Sequence, residues 1–82
     1  MTDTLTPPSA DLETDASGLK CPMPILRAKK ALAQLESGQV LKVITTDIHA
    51  LRDFQAFAKQ TGNTLLAQIE SESNIVHYLQ RR

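Results

Sequence analysis

The sequence predicts a two-layer α+β sandwich, in which two helices cover one face of a four-stranded mixed sheet. Three observations predict it. Apolar residues recur with helical spacing in two segments and form β-branched runs in the others, giving the order β-α-β-α-β-β. Turn signals separate the segments, at Ser17-Gly18, at Gly38, at Gly62-Asn63 and from Ser71 to Asn74. The chain has 82 residues, the size of one small domain that buries roughly 60% of its unfolded surface.

The elements follow in chain order. Residues 1–10, with Thr2, Thr4, Thr6, Pro7, Pro8 and Ser9, lack periodicity and read as a flexible tail, leaving 11–82 as the folded domain. Asp11 to Ala16 is a short first strand. Pro22 and Pro24 suit a helix start, because the first helical N–H groups have no intrahelical partner. Ile25, Ala28, Leu32 and Leu35, joined by Ala31, then form one buried stripe, and Gly38 is the expected stop. Val40 to Thr46 is a strand of the sheet interior, closed by Asp47, which suits a helix cap. Ala50, Phe54, Phe57, Ala58 and Thr61 mark the second helix, with both phenylalanines in the core. Thr64 to Glu70 and Ile75 to Leu79 complete the sheet as a hairpin. The two helical crossovers call for parallel strands elsewhere, so the sheet is mixed.

Composition excludes several classes of function. Nine Lys and Arg balance nine Asp and Glu, so no overall field draws the chain to nucleic acid or to an anionic membrane. The longest apolar run is far too short to span a bilayer, and no secretory leader is expected. One cysteine excludes an intrachain disulfide and fits a reducing, cytoplasmic compartment. One Cys with scattered His49 and His77 does not provide four zinc ligands at close spacing, so neither metal nor cofactor is expected. Either histidine could act as a base or metal ligand if the fold brought it near Cys21, but solvated surface is the plainer reading. Helix capping and dipole compensation account for Asp47 and Asp53, and Arg81 and Arg82 read as a solvated basic end.

Cys21 is the chemical residue. It lies in Gly18-Leu19-Lys20-Cys21-Pro22-Met23-Pro24, at the expected helix N-cap, where Ser, Thr, Asp or Asn would serve stability better. A helix N-terminus and the nearby Lys20 and Arg27 favour a thiolate there, so a lowered pKa is expected. Pro22 and Pro24 leave only Met23 and Ile25 as nearby N–H donors but fix the backbone that aims the sulfur outward. Met23 is either an exposed apolar contact beside the sulfur or packing under the helix start. The competing assignment for Cys21 is a buried small hydrophobe.

The Gly-Leu-Lys-Cys-Pro-Met-Pro run, the Lys29-Lys30 pair, the strand ending at Asp47 and the Asp53-Phe54 pair together resemble the TusA/SirA-like family of small sulfur-carrier proteins, from about Asp11 to the end of the chain. The resemblance implies a persulfide on Cys21, with Gly18, Leu19, Pro22, Met23 and Pro24 as supporting motif positions. Lys20, Arg27 and Asp53 are candidate electrostatic or partner contacts. It implies a cysteine desulfurase or rhodanese-type donor and a downstream acceptor protein, serving tRNA 2-thiolation, cofactor maturation or sulfur oxidation. Ile48-His49-Ala50 departs from the family, which often has proline after the strand-end Asp and sometimes serine two positions later. A redox-sensing or regulatory module, or a partner of a membrane sulfur transporter, is the alternative. A nucleic-acid module is disfavoured by the neutral charge and the scarcity of aromatics for base stacking.

Overall fold

A computed structural model describes residues 9–82. Most of the expected tail, residues 1–8, lies outside the described residues. The order is β1 (Leu12–Ala16), α1 (Met23–Leu32), β2 (Val40–Thr45), α2 (Ala50–Thr61), β3 (Thr64–Glu70) and β4 (Ile75–Gln80). The sheet runs β1-β2-β4-β3, with β1 parallel to β2 and the other neighbouring pairs antiparallel. Both helices pack on the same face of this mixed sheet, as the sequence pattern predicts.

Register explains which residues form the core. Leu12, Leu41, Leu79 and Leu65 align across the four strands, and Val43 aligns with His77. This row faces Ala28, Ala31 and Leu32 of α1 and Ala50, Phe54, Phe57 and Ala58 of α2. Phe54 is wholly buried, stacked on His77 at 4.3 Å between centroids and edge-on to Phe57 at 6.2 Å. Gly62 ends α2 with φ of 81°, the left-handed conformation that glycine adopts without steric cost, and its N–H closes on the Ala58 carbonyl.

The first helix differs from expectation at both ends. Pro22, not Cys21, is the N-cap residue, so Pro24 occupies the second helical position. At the other end α1 stops at Leu32, well before Gly38. Gln34 N–H bonds the Ala31 carbonyl and Leu35 N–H bonds that of Leu32, so the chain tightens into turns that swing Leu35 into the core.

His77 is buried and fully hydrogen-bonded, and its neighbours fix its tautomer. Gln68 Nε2 has two hydrogens, one for the Leu51 carbonyl at 2.8 Å and one for His77 Nδ1 at 3.0 Å. Gln68 Oε1 accepts from Gln55 Nε2. His77 Nδ1 is therefore an acceptor, and Nε2 carries the proton that it shares with Thr45 Oγ1 at 2.9 Å. The Thr45 hydroxyl in turn donates to the Ile75 carbonyl. Protonating Nδ1 would set two donors face to face. Burial holds the ring neutral, pushing its pKa from 6.5 down to about 4.

A pH dependence follows from this histidine. The unfolded chain takes up a proton as pH falls through 6.5, and the folded chain only near 4. Stability is thus full above the first value and falls between the two, by at most about 3 kcal/mol. Chemical denaturation near neutrality and at about pH 4.5 measures the effect. Equal midpoints would contradict the buried, neutral assignment.

Candidate functional site

The site is built where two parallel strands end level. Ala16 pairs with Thr45 at the ends of β1 and β2, so the segments leaving both strands meet. Ser17 and Gly18 turn the chain back, with the Ser17 N–H on Asp15 Oδ1 and Gly18 at φ of 79°. Gly18 N–H reaches across to Thr46 Oγ1 at 2.8 Å, and Leu19 N–H returns to the Ala16 carbonyl. Leu19 tucks its side chain against the core. Lys20 is exposed, and its carbonyl accepts the Met23 N–H at 2.8 Å.

Cys21 emerges from this turn with an exposed, free thiol. Its N–H donates to Asp47 Oδ2 at 3.2 Å. Pro22 lies beyond it and Pro24 is buried under the helix start, which fixes the first turn of α1. Met23 is 44% exposed, which assigns it to the surface beside the sulfur rather than to the core. Leu26 at 48% and Ile48 at 70% are also exposed.

The electrostatics reverse the expectation of a lowered thiol pKa. The Asp53 carboxylate, from the first turn of α2, lies beside the Cys21 thiol and raises its pKa. Partial desolvation and the negative charges of Asp53 and Asp47 push in the same direction. The helix start gives little help, because two of its first residues are prolines and the Met23 N–H is engaged by Lys20. Lys20 and Arg27 are not the charges that act on the thiol. Arg27 turns the other way and donates from Nη1 to the Asp15 carbonyl at 3.3 Å.

Asp47 links the cysteine turn to α2. Its Oδ1 accepts from the His49 backbone N–H and from His49 Nδ1, both at 3.0 Å, while Oδ2 holds Cys21. The His49 and Cys21 N–H groups hold the Asp47 carboxyl below the usual carboxylate range. The Asp47 carbonyl accepts the Ala50 N–H, so this loop is organised without a proline. His49 is the N-cap residue of α2 with its ring on the surface, whereas His77 is confined to the core. Among the described residues, no three His, Cys, Asp or Glu side chains converge to hold a metal ion.

Sequence reasoning gave Asp47 only a capping role, reached Asp53 as a contact through the family resemblance alone, and missed Thr46. The signal was in the fold prediction itself. Parallel strands that end in register bring the segments after Ala16 and Thr45 together.

A single exposed cysteine on a rigid turn, carried by a two-layer sandwich, defines a small protein whose reactive sulfur faces outward. A family model described as "Sulfurtransferase TusA" matches residues 12–81. A sulfur carrier protein TusA from Allochromatium vinosum is 59% identical over 69 residues, covering 84% of this chain and 90% of that one. The sulfur carrier protein TusA of Pseudomonas entomophila is 36% identical over 72 residues, covering 88% and 90%. The crystal structure of a SirA-like protein from Desulfitobacterium hafniense superposes with a TM-score of 0.75 at 32% identity, over 84% of this chain and 95% of that one. The chain belongs to the TusA/SirA-like family.

Proposed function

We propose that this protein is a cytoplasmic sulfur carrier that holds sulfur as a persulfide on Cys21 and relays it between proteins. The observation that carries the proposal is the single free thiol, exposed on a turn braced by Thr46 and Asp47, in a chain of this family. The Cys21 thiolate attacks the outer sulfur of a donor persulfide. A new S–S bond forms on Cys21, the donor's S–S bond breaks, and the donor departs as a thiolate. An acceptor thiolate then attacks the outer sulfur and releases Cys21 unchanged. Each step exchanges one S–S bond for another, so neither an external oxidant nor a reductant enters.

The donor in this proposal is a cysteine desulfurase or rhodanese-type enzyme. The acceptor is a protein serving tRNA 2-thiolation, cofactor maturation or sulfur oxidation. Gly18 gives the turn its left-handed residue, Leu19 anchors it, and the two prolines stiffen the exit into α1. The Asp53 and Asp47 carboxylates raise the thiol pKa and so disfavour the thiolate in the free protein. Reaction is then favoured by a partner that masks these carboxylates or supplies a base. No helix among the described residues is long and apolar enough to cross a membrane, and the reducing cytosol would keep the thiol free.

Loading the protein with radiolabelled sulfur from a desulfurase, then adding an unlabelled acceptor thiol, tests the relay. Label first bound to the protein and then lost to the acceptor is the expected result. Label that never binds, from either donor class, contradicts it. A second expectation concerns Asp53. Asp53→Asn removes a negative charge beside the sulfur, so the thiol should titrate at lower pH and alkylate several-fold faster near neutrality. The pH profile of iodoacetamide reaction checks this, and an unchanged profile would remove Asp53 from the site.

A further inference from the structure

The end of the molecule opposite Cys21 carries an open hollow of about 390 Å³. Cys21 precedes α1 and the hollow lies at its far end, a helix of 10 residues away, roughly 15 Å. Its apolar floor includes Leu32 and Phe57, and Asn63 sits on its wall. Three cationic side chains, Lys29, Arg81 and Arg82, line it, and no acidic side chain does. None of the three forms an ion pair among the described residues. We propose that this hollow is a binding site for a phosphate ester, the phosphate lying between Lys29, Arg81 and Arg82 and the organic body on the Leu32–Phe57 floor.

Compensation of helix dipoles accounts for only part of this charge. Lys29 and Lys30 stand in the last turn of α1, and Lys59 in the last turn of α2. Each helix end carries only about half a negative charge, which these lysines already exceed. Arg81 and Arg82 follow β4, with the Arg82 side chain laid over the Gly62 C-cap of α2, and add two further side-chain charges at the same mouth. The overall neutrality of the chain therefore conceals a local excess. Ligand chemistry follows from the count: a carboxylate brings one negative charge, whereas a phosphate monoester brings nearly two and three acceptor oxygens. Guanidinium groups engage such oxygens in bidentate fashion. A free nucleotide carries such a phosphate monoester, whereas a nucleic-acid backbone brings one charge per phosphodiester and matches the three cations only with two adjacent phosphates.

Titrating the full chain with AMP, with inorganic phosphate and with a short single-stranded RNA, followed by amide NMR, tests the site. Saturable shifts are expected at Lys29, Asn63 and Arg81, weakening as salt rises. Affinity should fall at least tenfold in R81Q/R82Q and again in K29Q, which changes a different element. The backbone bonds of Arg81, to the Gln39 carbonyl and from Gly38 N–H, do not involve its side chain, so the double variant should retain the fold. Saturation by AMP assigns a free nucleotide, and saturation by RNA alone assigns a backbone phosphate. Absence of saturable binding by all three probes, or binding undiminished in both variants, overturns the proposal. Cys21→Ser should bind as wild type does, so this outcome is independent of the sulfur chemistry.

Discussion

Cys21→Ser is expected to reduce the acceptance of sulfur to background while leaving the thermal midpoint within a few degrees of wild type. The side chain is exposed, and exposed substitutions away from caps and cavities usually change stability by less than about 0.5 kcal/mol. The braces of the turn are backbone N–H groups of Gly18, Leu19, Cys21 and Met23, and none requires sulfur. Serine has nearly the same shape but cannot hold a sulfane sulfur. Retention of radiolabel after incubation with a desulfurase, read beside a thermal melt, measures both halves of the expectation. Labelled Cys21→Ser would move the chemistry elsewhere, and an unfolded variant would make Cys21 a structural residue.

The largest expected loss of stability is at Phe54. Its ring is wholly buried, stacked on His77 and edge-on to Phe57. Truncating such a residue to alanine costs about 3–5 kcal/mol through lost burial and the cavity left behind. A small domain has only about 5–15 kcal/mol in total, so Phe54→Ala should lower the midpoint by roughly 15–30 °C. Function is linked to this loss, because Phe54 immediately follows Asp53 and anchors the first turn of α2 that presents the carboxylate to Cys21. Thermal denaturation followed by circular dichroism checks the figure, and a shift of only a few degrees would mean that the core can close around the missing ring.

The fold was largely legible because its signals are local. Gly62 fixed the end of α2, and β-branched runs with polar turns fixed β2, β3 and β4 to within a residue. The end of α1 was misread, since Leu35 continues the helical spacing after the helix has broken into turns. At the site, the exposed cysteine turn and its prolines could be located from the motif. The sign of the electrostatics could not. Lys20 and Arg27 are close to Cys21 in sequence, but Arg27 is drawn to the end of β1, while Asp47 and Asp53 arrive from the other crossover. The His77 network was hidden for the same reason. Thr45 and Gln68 come from different strands, and only the register of β2, β4 and β3 brings them to one ring, while Gln55 of α2 orients the Gln68 amide.

The central claim concerns one atom, and mass spectrometry of the reduced wild-type protein addresses it most directly. After incubation with a cysteine desulfurase and free cysteine, the protein should gain the mass of one sulfur atom, on the peptide that contains Cys21, and lose it on treatment with a reductant. No gain from either a desulfurase or a rhodanese, in protein whose Cys21 still alkylates while folded, would contradict the carrier role.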